Sequence, residues 1–236
     1  MNELPGEGEG AKRGNVLLIF VKYPSPGTVK TRLSPELTPE QGAAFYRALA
    51  EEVVQVHISS EGYESIVCFA PESARKEVRS WLGPDIRLWS QLGDDLGSRE
   101  FHATREALEA GYGKAAIIGS DCPTITPGDI EAAFSCLSGS DLVLGPCEDG
   151  GYYLIGATRP IESLFEGINW GSERVLSETL EKAREAGLTL ELLDVKYDID
   201  SYIDLERYYR SGREGAGDRP KTHSWRVLEG IMEGRV

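Results

Sequence analysis

The 236-residue sequence lacks most of what would make it a membrane, nucleic-acid or zinc-binding protein. No apolar run approaches the ~20 residues needed to cross a bilayer. Met1 to Gly14 is Gly- and Glu-rich, without the apolar stretch of a signal peptide or anchor, so a cytoplasmic protein with no membrane partner is expected. Basic residues are outnumbered: 25 Lys and Arg against 39 Asp and Glu leave a net charge of −14, which speaks against a nucleic-acid partner. The four cysteines, Cys68, Cys122, Cys136 and Cys147, form no CxxC pair and have no partnered histidine, which points to reduced core thiols. Cys122 has no neighbouring His or Lys to activate it, so packing is its expected role. His57, His102 and His223 are scattered over two helical segments and the tail; none is assigned catalysis, and no Ser-His-Asp or Cys-His set arises. There is no internal repeat.

What is present is an alternation of strands and helices. Asn15 to Lys22 is a continuous apolar run expected as the central strand, and a helix begins at Thr38-Pro39 with a broad apolar stripe. Further strands are expected at Ser65–Ala70, around Ile86 to Trp89, at Ala115–Ile118, Asp141–Gly145, after Gly151, and at Leu188–Leu193. Helices are expected at Glu72–Leu82, up to about Ala110, from Pro127 to Leu137, from a Ser172 cap to Ala186, and after a Ser201 cap. Asp94 and Asp95 precede one helix and suit its cap better than a ligand. The pattern predicts a doubly wound α/β fold with a mostly parallel sheet covered on both faces. Residues 1–14 are expected as a flexible segment, 15–210 as one domain, and 211–236 as a Gly/Arg/Asp linker with an amphipathic helix bearing Trp225, Leu228, Ile231 and Met232. That helix packs either on the body or on a second copy, which would make a homodimer.

Three separated elements carry chemistry. The stretch Gly119-Ser120-Asp121-Cys122-Pro123 breaks a buried strand and leaves Asp121 at its carboxyl end, the edge where open α/β sheets bind ligands. Thr126, immediately before Pro127, is the better helix cap, which frees Asp121 for a metal or substrate. The loop after the first strand belongs to a basic island, five Lys or Arg and no acid between Ala11 and Pro35, in which Lys22, Lys30 and Arg32 can converge on a phosphate and Gly27 allows close backbone approach. It lacks the Gly-Lys-Ser/Thr ending of a P-loop. Asp198 and Asp200, two residues apart, face one way on extended chain, as a metal site or a charge clamp requires. In Glu148-Asp149-Gly150-Gly151-Tyr152, the acids face the site, or Asp149-Gly150 merely turns a hairpin. Brought together, the three elements suit a phosphate bound with Mg2+ or Mn2+.

The motifs Lys22-Tyr-Pro-Ser-Pro-Gly-Thr-Val-Lys30-Thr-Arg32, Gly119-Ser-Asp121-Cys-Pro, Glu148-Asp149-Gly-Gly-Tyr152, Trp170-Gly and Asp198-Ile-Asp200 together resemble the selenodomain-associated transferase 1 group (DUF2064). The resemblance spans about residues 15 to 210 and implies a glycosyltransferase-A, nucleotide-diphospho-sugar transferase fold: a three-layer, Rossmann-like, mixed but mostly parallel sheet. It implies a transferase that takes a nucleotide or nucleotide-sugar donor and a small-molecule acceptor. Nucleotide would contact Lys22, Pro26, Gly27, Lys30, Arg32 and Ser120; substrate Asp149, Gly150, Gly151 and Tyr152; and Mg2+ or Mn2+ the side chains of Asp121, Asp200 and Asp198. Lys30, Arg32 and Asp121 are the implied catalytic residues. The family label implies glycosyl transfer, yet Ser-Asp121-Cys offers one carboxylate where glycosyltransferases of this fold carry Asp-X-Asp. The Lys30/Arg32 loop is similar to that of nucleotidyltransferases such as phospholactate guanylyltransferase. A protein that binds nucleotide without turnover is the remaining alternative.

Overall fold

A computed structural model describes residues 13–214 and 222–235. Seven strands, β1 (Arg13–Lys22), β2 (Glu64–Ala70), β3 (Leu88–Ser90), β4 (Tyr112–Gly119), β5 (Leu142–Pro146), β6 (Tyr152–Ala157) and β7 (Leu190–Leu192), form one sheet in the order β3-β2-β1-β4-β6-β5-β7. All pairings are parallel except those of β6, which runs against β4 and β5. Among the described residues seven α-helices accompany them: α1 (Pro39–Ile58), α2 (Arg75–Leu82), α3 (Leu96–Glu109), α4 (Pro127–Cys136), α5 (Val175–Glu185), α6 (Tyr202–Glu214) and α7 (His223–Met232). No helix among the described residues is long and apolar enough to cross a membrane.

The unbroken apolar run of β1 is explained by burial on both sides. Leu17, Ile19 and Val21 pack with Val53 and Val54 of α1, Val78 of α2 and Ile130 of α4 in one core cluster. Val16, Leu18 and Phe20 point the other way, into a cluster with Ala103 and Ala107 of α3 and Ala183 of α5. The three-layer α/β expectation is therefore met, with the period-two alternation of a strand dividing its side chains between two cores. Thr38 and Thr126 each close a reciprocal capping box, with Gln41 and Asp129, and Pro follows each cap. Asp95 does the same with Ser98 at the start of α3.

Local details depart from expectation where side chains found other partners. Ser172 does not cap α5, which starts at Val175 with no side-chain cap; its hydroxyl donates to the Asn169 carbonyl at 2.8 Å instead. Asp141 stands outside β5, accepting from the Thr189 amide (3.0 Å) and hydroxyl (2.8 Å) and so holding the start of β7. The segment expected as a linker from Gly212 is helical through Glu214, and residues 215–221 lie outside the described residues. Gly212 is required by packing: a Cβ there would lie 1.9 Å from the Trp225 indole nitrogen. That indole donates to the Tyr209 carbonyl at 3.1 Å and stacks on the Tyr209 ring. Of the two alternatives for the tail helix, the structure takes the first. Trp225, Leu228 and Ile231 of α7 are buried with Phe45 and Leu49 of α1 and Leu205 and Tyr208 of α6.

At the far end of α1, His57 is fully buried; its Nδ1 is 2.8 Å from the Tyr63 hydroxyl, and Nε2 has no hydrogen-bond partner among the described residues. Burial lowers its pKa to about 4, against an opposing pull from Asp129. The unfolded chain takes up this proton near pH 6.5, so the stability from a neutral His57 is complete above that value and lost as pH falls toward 4. Between pH 7 and 5 the wild type should lose about 2 kcal/mol more than His57→Asn in urea unfolding; equal losses would contradict this assignment.

Candidate active site

Strand order reverses between β1 and β4, which lie side by side with Phe20 opposite Gly119. Loops leaving the carboxyl ends of such strands diverge and open a crevice. Here the crevice is a cleft of about 570 Å3, floored by Phe20, Ile117 and Ile155, with four chain segments among those that supply its polar walls. The loop after β1 supplies Lys22, Lys30 and Arg32; the segment after β3 supplies Gln91, Asp94 and Asp95; the turn after β4 supplies Ser120 and Asp121; and the stretch before α6 supplies Asp198 and Asp200.

Lys30 is the centre of the arrangement. Its side chain is 3% exposed, and its ammonium lies 2.5 Å from Asp121 Oδ1, 2.5 Å from the Ile199 carbonyl and 3.4 Å from Asp200 Oδ1. The Asp121 contact is an ion pair whose geometry is off the line of a hydrogen bond. Burial alone would lower the lysine pKa, but Asp121 and Asp200 outweigh it and raise it, so the group stays charged. Sequence aimed this lysine at a phosphate; in the structure it faces the acidic wall. Lys22 and Arg32 are exposed, and Arg32 reaches Asp200 Oδ2 at 3.3 Å. Tyr46, which sequence did not single out, ties the floor together: its hydroxyl accepts from the Lys22 amide at 2.8 Å and lies 2.9 Å from the Ser120 hydroxyl. Lying beside Phe45 in the apolar stripe of α1, it gave no signal of its own.

The acidic wall gathers Asp121, Asp198 and Asp200, the three expected metal ligands. Asp198 is pushed up to about 7, by burial first and then by Asp200, Asp149 and Asp121. Among the described residues the three whose ligand atoms fall within 4.8 Å of one another are Cys147, Asp149 and Asp198; this group shares only Asp198 with the expected trio, whose own ligand oxygens do not all come that close. Burial and the surrounding carboxylates raise the Cys147 thiol strongly, which leaves it protonated and a poor ligand. The donor set that remains is carboxylate oxygen, which fits a hard divalent cation such as Mg2+ or Mn2+, and crowded like charges are what such a cation relieves.

Other expected residues lie farther out. Pro26 and Gly27 are exposed at the loop tip and do not line the cleft, though Gly27 does adopt a positive φ of 76°. Asp149, Gly150 and Gly151 form the turn joining β5 to β6; the Asp149 side chain accepts from the Gly151 amide at 2.9 Å. Gly150 is a close approach, since a Cβ there would meet the Glu173 carbonyl oxygen at 2.0 Å. Glu148 faces away, holding Arg207 through both carboxylate oxygens. Tyr152 lines the cleft and donates to Glu100 at 2.6 Å. Glu100, Arg99 and Gln91 also line it and were not foreseen. Glu100 carried no sequence signal, because a Glu in the first turns of a helix ordinarily serves the dipole.

Burial pushes Glu100 up to about 8, while the Tyr152 hydroxyl draws it back. The folded state therefore keeps a proton that the unfolded chain releases near 4.5. The stability tied to it is complete below 4.5 and lost as pH rises toward 8. Glu100→Gln should raise the melting temperature by several degrees at pH 8 and leave it unchanged at pH 4.5; equal effects at both pH values would contradict this.

Known proteins share this architecture. A structure from Desulfovibrio desulfuricans G20, a candidate nucleotide-diphospho-sugar transferase, is 32% identical, covers 94% of this chain and 97% of its own, and superposes with a TM-score of 0.85. A phosphoenolpyruvate guanylyltransferase of Sphaerobacter thermophilus is 26% identical over 182 residues, 76% of this chain and 86% of its own. A 2-phospho-L-lactate guanylyltransferase of Methanoculleus marisnigri is 29% identical over 186 residues, 76% of each chain. Residues 53–172 match the family described as "Uncharacterized protein conserved in bacteria (DUF2064)", and the chain belongs to that family.

Proposed function

We propose that this chain is a divalent-cation-dependent nucleotidyltransferase, moving a nucleoside monophosphate from a triphosphate to a small anionic acceptor and releasing pyrophosphate. The observation that carries the proposal is the polarity of the cleft. Cationic Lys22 and Arg32, from the loop after β1, stand beside a wall of Asp121, Asp198 and Asp200 at the switch point of the sheet. A triphosphate needs both: side-chain cations for its outer oxygens, and carboxylates to hold the ion that accompanies it. The guanylyltransferase relatives support the same class and suggest GTP as donor.

In this scheme the acceptor oxygen attacks the α-phosphorus, a new phosphorus–oxygen bond forms, and the bond to the β-phosphate oxygen breaks. An acceptor that attacks through an ionised phosphate or carboxylate oxygen needs no general base, and no histidine is among the residues lining the cleft. Lys22 and Arg32 would hold the departing pyrophosphate, and Arg32 has the planar fork suited to it. Asp121, Asp198 and Asp200 would hold Mg2+ or Mn2+, which when bound offsets charge on the reacting phosphates. Tyr152, which lines the cleft, would meet the acceptor. The four free cysteines suit a reducing cytoplasm, where nucleoside triphosphates are also at hand.

A second reading, glycosyl transfer from a nucleotide-diphospho-sugar, is favoured by the Desulfovibrio relative. Released product separates the two. With GTP, Mg2+ or Mn2+ and a phosphorylated hydroxy acid, pyrophosphate should appear, and Asp121→Asn should lower the rate by roughly a hundredfold or more. Nucleoside diphosphate released from a nucleotide-sugar would establish the second reading, and turnover unchanged by Asp121→Asn would remove this site from the chemistry.

A further inference from the structure

An ammonium has three hydrogens to donate and no acceptor. In Lys30 two hydrogens go to Asp200 Oδ1 and the Ile199 carbonyl, and Asp121 Oδ1, in ion-pair contact at 2.5 Å, closes the remaining side of an ammonium whose side chain is 3% exposed. A phosphate oxygen could be held by this lysine only after one of those contacts broke. We infer that Lys30 is the resident cation of the acidic wall, competing with a divalent cation for Asp121 and Asp200 and released toward the cleft when such a cation binds.

Two observations and one electrostatic argument support the exchange. The first is access: Lys30 is 3% exposed while both carboxylates are 40% exposed, so the ammonium reaches them from behind and their outer oxygens remain open to an ion arriving through the cleft. Asp121 Oδ1 is itself buried against the lysine. The second is charge. A monovalent and a divalent cation placed on the same two carboxylates repel each other at close range, so binding of the second weakens the first. The third is the backbone: Lys30 has φ 51° and ψ 35°, and among the described residues it is the only non-glycine with positive φ. Left-handed backbone at a residue with a Cβ persists where surrounding contacts hold it, and it recurs in segments that switch. Here the side-chain clamp supplies those contacts, so breaking it loosens the loop that also carries Arg32.

The inference rests on the proposed function only in giving the released ammonium a phosphate to meet; the competition itself needs no nucleotide. It is tested with Mn2+ alone on the full chain, by electron paramagnetic resonance of the free ion. Lys30→Met should bind Mn2+ roughly tenfold tighter than wild type, and Lys30→Met/Asp200→Asn should lose that gain. Unchanged or weaker binding by a Lys30→Met protein with native circular dichroism would overturn the inference. A wild-type measurement guards against a misfolded variant: acylation of Lys30 by an N-hydroxysuccinimide acetate, followed by mass spectrometry, should be slow in chelator and faster in Mn2+. No acceleration would overturn the release. Mn2+ competition in a chain that releases no pyrophosphate from any nucleoside triphosphate would support this inference and contradict the proposed function alone.

Discussion

Taking an ammonium out of water costs several kcal/mol unless close oxygens replace its hydration, and the Lys30 site is built to do so. The oxygens come from two places far apart in sequence, Asp121 after β4 and Ile199-Asp200 before α6, and the lysine from a third, after β1. One ion cluster therefore ties together three of the segments that line the cleft. Remove the lysine, and Asp121 and Asp200 lose the charge that holds them facing each other. Remove either acid, and a buried cation is left undercompensated.

The rest of the fold keeps those segments within reach. Parallel β1 and β4 deliver the loop and the Asp121 turn to the same sheet edge, and the Tyr46 hydroxyl bridges them by contacting the Lys22 amide and Ser120. Behind the clamp, Leu33 and Ile199 are fully buried in one cluster with Trp225 and Leu228 of α7. These two residues flank cleft-lining ones, Leu33 next to Arg32 and Ile199 between Asp198 and Asp200. The tail helix thus braces both the basic loop and the acidic pair from outside the sheet. Its amphipathic pattern is explained by packing within the chain.

The fold was legible because its signals are local and strong: an apolar run for β1, Thr-Pro and Asp-Leu helix starts, and glycine or proline at the strand ends. Asp121, Asp198 and Asp200 could be picked out because a carboxylate at a strand end or on alternating extended residues has few structural uses. What sequence could not supply was orientation. Lys30 belongs to a basic loop and carries every mark of a phosphate ligand, yet three-dimensional proximity to two acids 91 and 170 positions away along the chain turns it inward. Glu100 and Tyr46 were missed for a related reason: their roles come from partners on other elements, Tyr152 and Ser120, and nothing in their own neighbourhoods marks them. Gly212 looked like a linker residue because composition cannot distinguish a flexible glycine from one on which an indole rests.

The central claim is that the cleft at the ends of β1 and β4 binds the triphosphate of a nucleotide through the exposed cations of the loop after β1. Calorimetric titration with a non-hydrolysable GTP analogue in Mg2+ tests it most directly. Binding should be measurable in the wild type, should weaken with rising salt, and should fall by roughly tenfold or more in Lys22→Ala/Arg32→Ala. An affinity that neither salt nor the double substitution changes would contradict it, as would the absence of binding by any nucleoside triphosphate analogue.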